Sequence, residues 1–120
     1  REGTQGTSEI IAWHMDHYAR IVSKLRDTPE GDGNVLDNCA LLMAHEGGHG
    51  WDPAAQKDNS THSTENMCMC IAGSAGGLKP GQHVLAEGMH PANVLNSGMF
   101  AVGVEQDLGE VRGVIPDLFG

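Results

Sequence analysis

Ile11, Met15, Tyr18, Val22 and Leu25 recur at intervals of three and four residues, the spacing that gathers side chains on one face of an amphipathic helix. Ser8 stands where a side-chain oxygen can cap free backbone N–H groups. A helix is therefore expected over residues 8–27, after a loose polar lead-in at 1–7. Residues 28–33 combine proline, aspartate and two glycines and read as a turn. A strand is expected over 36–44. A second, over 66–72, is apolar almost without interruption, which indicates burial on both faces as in a parallel sheet. Between them, residues 45–65 form a polar stretch with Pro53 and three glycines, too long for a plain connection and so read as a functional loop. Residues 83–87 suit a short edge strand. Pro91 opens a second helix carrying Val94, Leu95, Met99 and Val102 and ended by Gly103. Residues 108–120 are irregular, with Ile115, Leu118 and Phe119 available for docking. The pattern predicts one α/β domain over residues 1–120, with a short, mostly parallel sheet flanked by two helices.

Composition narrows the choices. Two Trp, two Phe and one Tyr in 120 residues leave little bulk for a core, and small domains bury proportionately less surface. Sixteen acidic against seven basic residues give a net charge of -9, which opposes attraction to nucleic acid. No nucleic-acid partner is expected. No apolar run approaches the roughly 18 residues of a membrane span, and the first residues do not read as a signal peptide, although the numbering is compatible with a start downstream of one. Cys39, Cys68 and Cys70 make no CxxC pair. Cys68 and Cys70, two apart on a strand, would share a face and with Met67 or Met69 could serve a soft metal such as Cu(I). The plainer reading is small buried hydrophobes, and a Cys39 disulfide to one of the pair is the third.

His45-Glu46-Gly47-Gly48-His49 spells H-E-x-x-H, in which two histidines one helical turn apart hold zinc and the glutamate activates water. Its setting opposes a helix. Gly47 and Gly48 each cost about 1 kcal/mol in a helix interior, a strand precedes them, and Gly50 and Pro53 follow. The better reading is a loop at the C-terminal end of a buried strand, where α/β proteins place their chemistry. His62 precedes the second buried strand. Two adjacent parallel strands would bring Glu46 and His62 together, with His45 or His49, as nitrogen and oxygen ligands for Zn²⁺ or another divalent ion; the alternative is a hydrogen-bonded pair that orders the loop. His14, His17, His83 and His90 read as structural. The glycines of residues 73–77 do not form a phosphate-binding loop, because Pro80 follows Lys79, so no nucleotide cofactor is expected. No catalytic residue can be assigned from spacing.

The order of these motifs resembles the C-terminal portion of a secreted bacterial family of uncharacterised function. The resemblance rests on Thr28-Pro29-Glu30-Gly31-Asp32-Gly33, Val35-Leu36-Asp37-Asn38, Glu46-Gly47-Gly48, His62-Ser63 and the run from Ala72 through Gly76-Gly77-Leu78-Lys79-Pro80-Gly81, and it covers nearly the whole chain. That family is similar, more distantly, to the alkaline phosphatase and sulfatase superfamily, in which a "D-N-T" strand leads to an "S-D-H-G" metal loop. Asp37-Asn38-Cys39 and Ala44-His45-Glu46-Gly47 stand at those places. The resemblance implies an alkaline-phosphatase-like C-terminal portion, a secreted or periplasmic location, and metal ligands at Glu46, His62 and His45, with His49 or His14 nearby. It implies a phosphatase- or sulfatase-like hydrolase whose nucleophile lies in an N-terminal half without counterpart here, so that this chain is inactive alone. The remainder of a larger protein, or another chain, would complete the sheet. The alternatives are a noncatalytic secreted binding or structural module and a small zincin-like peptidase using His45, Glu46 and His49.

Overall fold

Helix α1 spans Glu2–Arg26 in the computed structural model, which describes the backbone of residues 2–52 and 56–120 and their side chains except those of 2–4, 49, 51–52 and 58–62. The helix begins well before Ser8, so residues 2–7 are not a loose lead-in. Acidic residues early in a helix favour its N-terminal dipole, and Gln5 Nε2 donates to Glu9 Oε1 at 3.2 Å one turn on. At the other end Thr28 Oγ1 donates to the Lys24 carbonyl at 2.6 Å, satisfying one of the last helical acceptors. Tyr18, Val22 and Leu25 are half-buried, whereas Ile10, Trp13 and Ile21 are 60, 56 and 50% exposed.

The expected turn is a tight hairpin, β1 (Pro29–Glu30) against β2 (Gly33–Asn34), with Gly31 at φ 58°. A 3₁₀ turn over Val35–Asn38 follows. Asp37 Oδ2 accepts the Asn34 N–H at 2.9 Å, and Asn38 Nδ2 donates to Glu30 Oε2 at 2.6 Å. These local bonds consume the start of the strand expected at 36–44, which shrinks to β3 (Leu41–Met43).

Among the described residues there are three sheets of two strands each, and all are antiparallel. The fold is mixed α and β, but the expectation of a mostly parallel sheet is corrected. Strand β6 (Cys70–Ala72) pairs with β3 in the register Leu41↔Ala72, Leu42↔Ile71, Met43↔Cys70. Its apolar run accompanies packing against a helix on one face, not parallel neighbours. Leu42 reaches Gly98 of helix α2 (Ala92–Ala101), and Ile71 packs on the cluster of Ala75, Leu78 and Ala101. Alternation sends Leu41, Met43, Cys70 and Ala72 to the opposite face. Helix α1 reaches the pair through the Tyr18 hydroxyl, which donates to the Leu41 carbonyl at 2.8 Å.

The polar stretch at 45–65 is also not a plain loop: β4 (Gly48–Asp52) and β5 (Lys57–Ser63) form an antiparallel hairpin with a register irregularity between Gly48 and Gly50. Residues 83–87 carry no regular structure, against the edge strand expected there. Helix α2 follows Pro91 as anticipated, yet its buried face is polar or small: Asn93, Asn96, Ser97, Gly98 and Ala101. Those side chains bind the tail. Asn93 Nδ2 donates to the carbonyls of Arg112 and Gly113, both at 2.8 Å. Asn96 Oδ1 accepts the Leu108 N–H at 2.8 Å, and its Nδ2 faces the Val111 carbonyl at 3.1 Å. Ile115 is buried, and Leu118 and Phe119 pack against the apolar cluster, as the tail's apolar residues suggested.

Candidate functional site

His45 and Glu46 follow β3 in irregular backbone, and Gly48 and His49 already belong to β4. The H-E-x-x-H run is not helical. The zincin reading is therefore corrected, since its two histidines need the one-turn spacing of a helix face.

The register Gly48↔Ser63 sets the segment beginning at His45 beside the one containing His62. The two come together across a hairpin, not at the ends of neighbouring parallel strands. His45 is half-buried and Glu46 exposed; the side chains of His49 and His62 lie outside the described residues. The close approach depends on glycine. A Cβ at Gly48 would run into the Glu65 carbonyl oxygen, and one at Gly50 into Ser63 Oγ, with Glu65 Oε2 at 2.8 Å. Ser63 Oγ accepts the Glu65 N–H at 3.1 Å. The Glu65 carboxylate thus stands over β4 in this region, a residue that the sequence alone did not single out, since the contact depends on pairing across the hairpin. Among the described residues, no three His, Cys, Asp or Glu side chains converge as a metal-holding set.

Three of the other histidines have local partners. The Trp13 ring lies edge-on to His14 at 4.9 Å and tilted against His17 at 4.1 Å, and His17 Nδ1 is 2.9 Å from the Trp13 carbonyl, an acceptor. His90 Nδ1 accepts the Ala92 N–H at 3.1 Å, while its backbone N–H donates to Asn93 Oδ1 at 3.0 Å, so His90 caps the start of α2. His83 lines a groove of about 1080 Å³ between segments 64–71 and 82–91, floored by Val94, Ile115 and Leu118.

Cys39, Cys68 and Cys70 are free thiols. Cys39 lies two residues before Leu41, hence four residue positions along the ladder from Cys70, or roughly 13 Å at the usual strand rise. That exceeds disulfide reach. Burial, and then the charge of Cys68, raise the thiol pKa of Cys70. Burial, with a smaller contribution from Cys70, raises that of Tyr18.

No protein-family model, curated protein or solved structure matches this chain. No helix among the described residues is long and apolar enough to cross a membrane.

Proposed function

We propose that this chain is the C-terminal portion of a phosphatase- or sulfatase-like hydrolase, inactive until further strands complete its sheet. The observation that carries the reading is the β3–β6 pair: three residues from each strand, packed on α2 and hydrogen-bonded to α1, with no third strand in that sheet among the described residues. Two strands packed on a helix are one part of a layered α/β domain, and an isolated two-stranded pair is marginal in water. The radius of gyration, 16.3 Å, exceeds the roughly 13.6 Å usual for a compact chain of this length. Exposed Ile10, Trp13 and Ile21 on α1 fit a surface that further structure would cover.

Glu46, His62 and His45 are the proposed ligands of Zn²⁺ or a similar ion, with His49 or His14 nearby. Carboxylate and imidazole donors suit such an ion. When bound, the metal would activate an oxygen nucleophile toward a phosphate or sulfate ester. The nucleophile itself belongs to the proposed N-terminal remainder, and a secreted or periplasmic location accompanies this reading.

The test is the intact mass of the natural protein, followed by hydrolysis of 4-nitrophenyl phosphate and sulfate. The expected outcome is a natural species much larger than 12.7 kDa whose metal-dependent activity is lost in Glu46→Gln, while residues 1–120 alone are inactive. A mature species of 12.7 kDa without bound metal or ester hydrolysis would replace this reading with a noncatalytic module.

A further inference from the structure

We propose that Met43, Cys68 and Cys70 form a three-sulfur site for a soft monovalent cation, Cu(I). Met43 and Cys70 are direct partners in the β3–β6 ladder, so their Cβ atoms stand about 4.5–5.5 Å apart on the same face. Cys68 lies two residues before Cys70, and the two thiols are close enough for their charges to interact. Both are free. Cys68 is exposed, whereas Met43 and Cys70 are half-buried, giving the cluster a solvent-facing entrance and a partly desolvated floor.

Met43, not Met67 or Met69, supplies the thioether. Met67 is turned onto β4, its Cγ 2.8 Å from where a Gly48 Cβ would stand. Met69 precedes the strand and has no partner in the ladder, whereas Met43 stands opposite Cys70. Thiolate and thioether donors select Cu(I), while structural Zn²⁺ sites require four ligands. Binding converts two thiols to thiolates and releases two protons to solvent, with no change in oxidation state. The site is independent of the proposed hydrolase, because it uses neither Glu46 nor the histidines.

Anaerobic titration of the reduced chain with Cu(I), against the chromogenic chelator bathocuproine disulfonate, tests it. One Cu(I) per chain is expected, with a thiolate-to-copper charge-transfer band in the ultraviolet. Cys68→Ser and Cys70→Ser should each weaken binding by at least about 100-fold, the upper end of what loss of a mere supporting contact costs, and Met43→Leu by about 10-fold. Cys39→Ser should leave affinity unchanged. Circular dichroism of each variant separates loss of a ligand from loss of fold. Failure of the folded wild-type chain to compete for Cu(I), equal loss in Cys39→Ser, or full affinity in folded Cys70→Ser or Met43→Leu would overturn the site.

Discussion

The Ser97 hydroxyl accepts the backbone N–H of Ile115 at 2.8 Å while donating to the Asn93 carbonyl at 2.7 Å. It is fully buried and ties the irregular tail to a helix eighteen residues earlier. Removing one partner from a buried hydrogen bond costs more than the bond contributed, because the other partner remains desolvated. Ser97→Ala is expected to lower unfolding stability by about 1–3 kcal/mol, read as a lower urea midpoint with an unchanged slope. Asn96→Ala should act in the same direction, since the Leu108 N–H loses its acceptor.

Gly73 marks a second constraint. It sits at φ 109°, where a Cβ would strike the Cys39 carbonyl oxygen. Gly31 is also left-handed, at φ 58°, but has open space around it. Gly31→Ala should therefore cost about 1–2 kcal/mol, the left-handed penalty alone. Gly73→Ala adds a backbone collision to the strain and should cost at least twice as much, a contrast that paired urea melts would measure.

Tyr18 offers a pH test on the contact between α1 and β3. Its hydroxyl donates to the Leu41 carbonyl, and burial raises its pKa above the usual value. A phenolate cannot donate, so deprotonation opposes the folded contact. The linked stability is fully present below the unfolded pKa of about 10 and is lost as pH rises through the higher folded pKa. The chain has one tyrosine, so its absorbance titration should show a single midpoint that moves down on unfolding. Tyr18→Phe should be less stable near neutrality, with the difference from wild type shrinking at alkaline pH.

The elements most legible in sequence were those whose signals were local. The spacing through Tyr18, Val22 and Leu25 located α1, and Pro91 with Gly103 bracketed α2. Their faces were less legible. The apolar residues chosen for α2 include Leu95 and Val102, 37 and 53% exposed, whereas Asn93, Asn96 and Ser97 are buried. Buried asparagines satisfied by a distant tail leave no local periodicity. Strand direction failed for a related reason: a short antiparallel pair rich in apolar residues produces the same continuous run as a parallel strand. At the candidate site, polarity and glycine content marked residues 45–65, but the β4–β5 hairpin depends on pairing across the sequence.

The exposed stripe on α1 separates a complete small domain from an incomplete one. Ile10, Trp13 and Ile21 are at least half exposed beside the half-buried Tyr18, Val22 and Leu25, so they contribute little to the chain's own core. Substituting Ile10→Lys, Trp13→Gln and Ile21→Lys should change the stability of residues 1–120 by no more than about 0.5 kcal/mol each, as for other surface positions. The same changes should reduce binding of an apolar dye by the isolated chain, because they remove exposed apolar surface. In the larger hydrolase proposed above, they should instead destabilise folding or abolish assembly, because the stripe would then lie beneath further structure. Thermal melts of the triple variant in both contexts provide the comparison. Equal, negligible effects in the two would mean that α1 faces solvent in the whole protein and that the covering structure lies elsewhere.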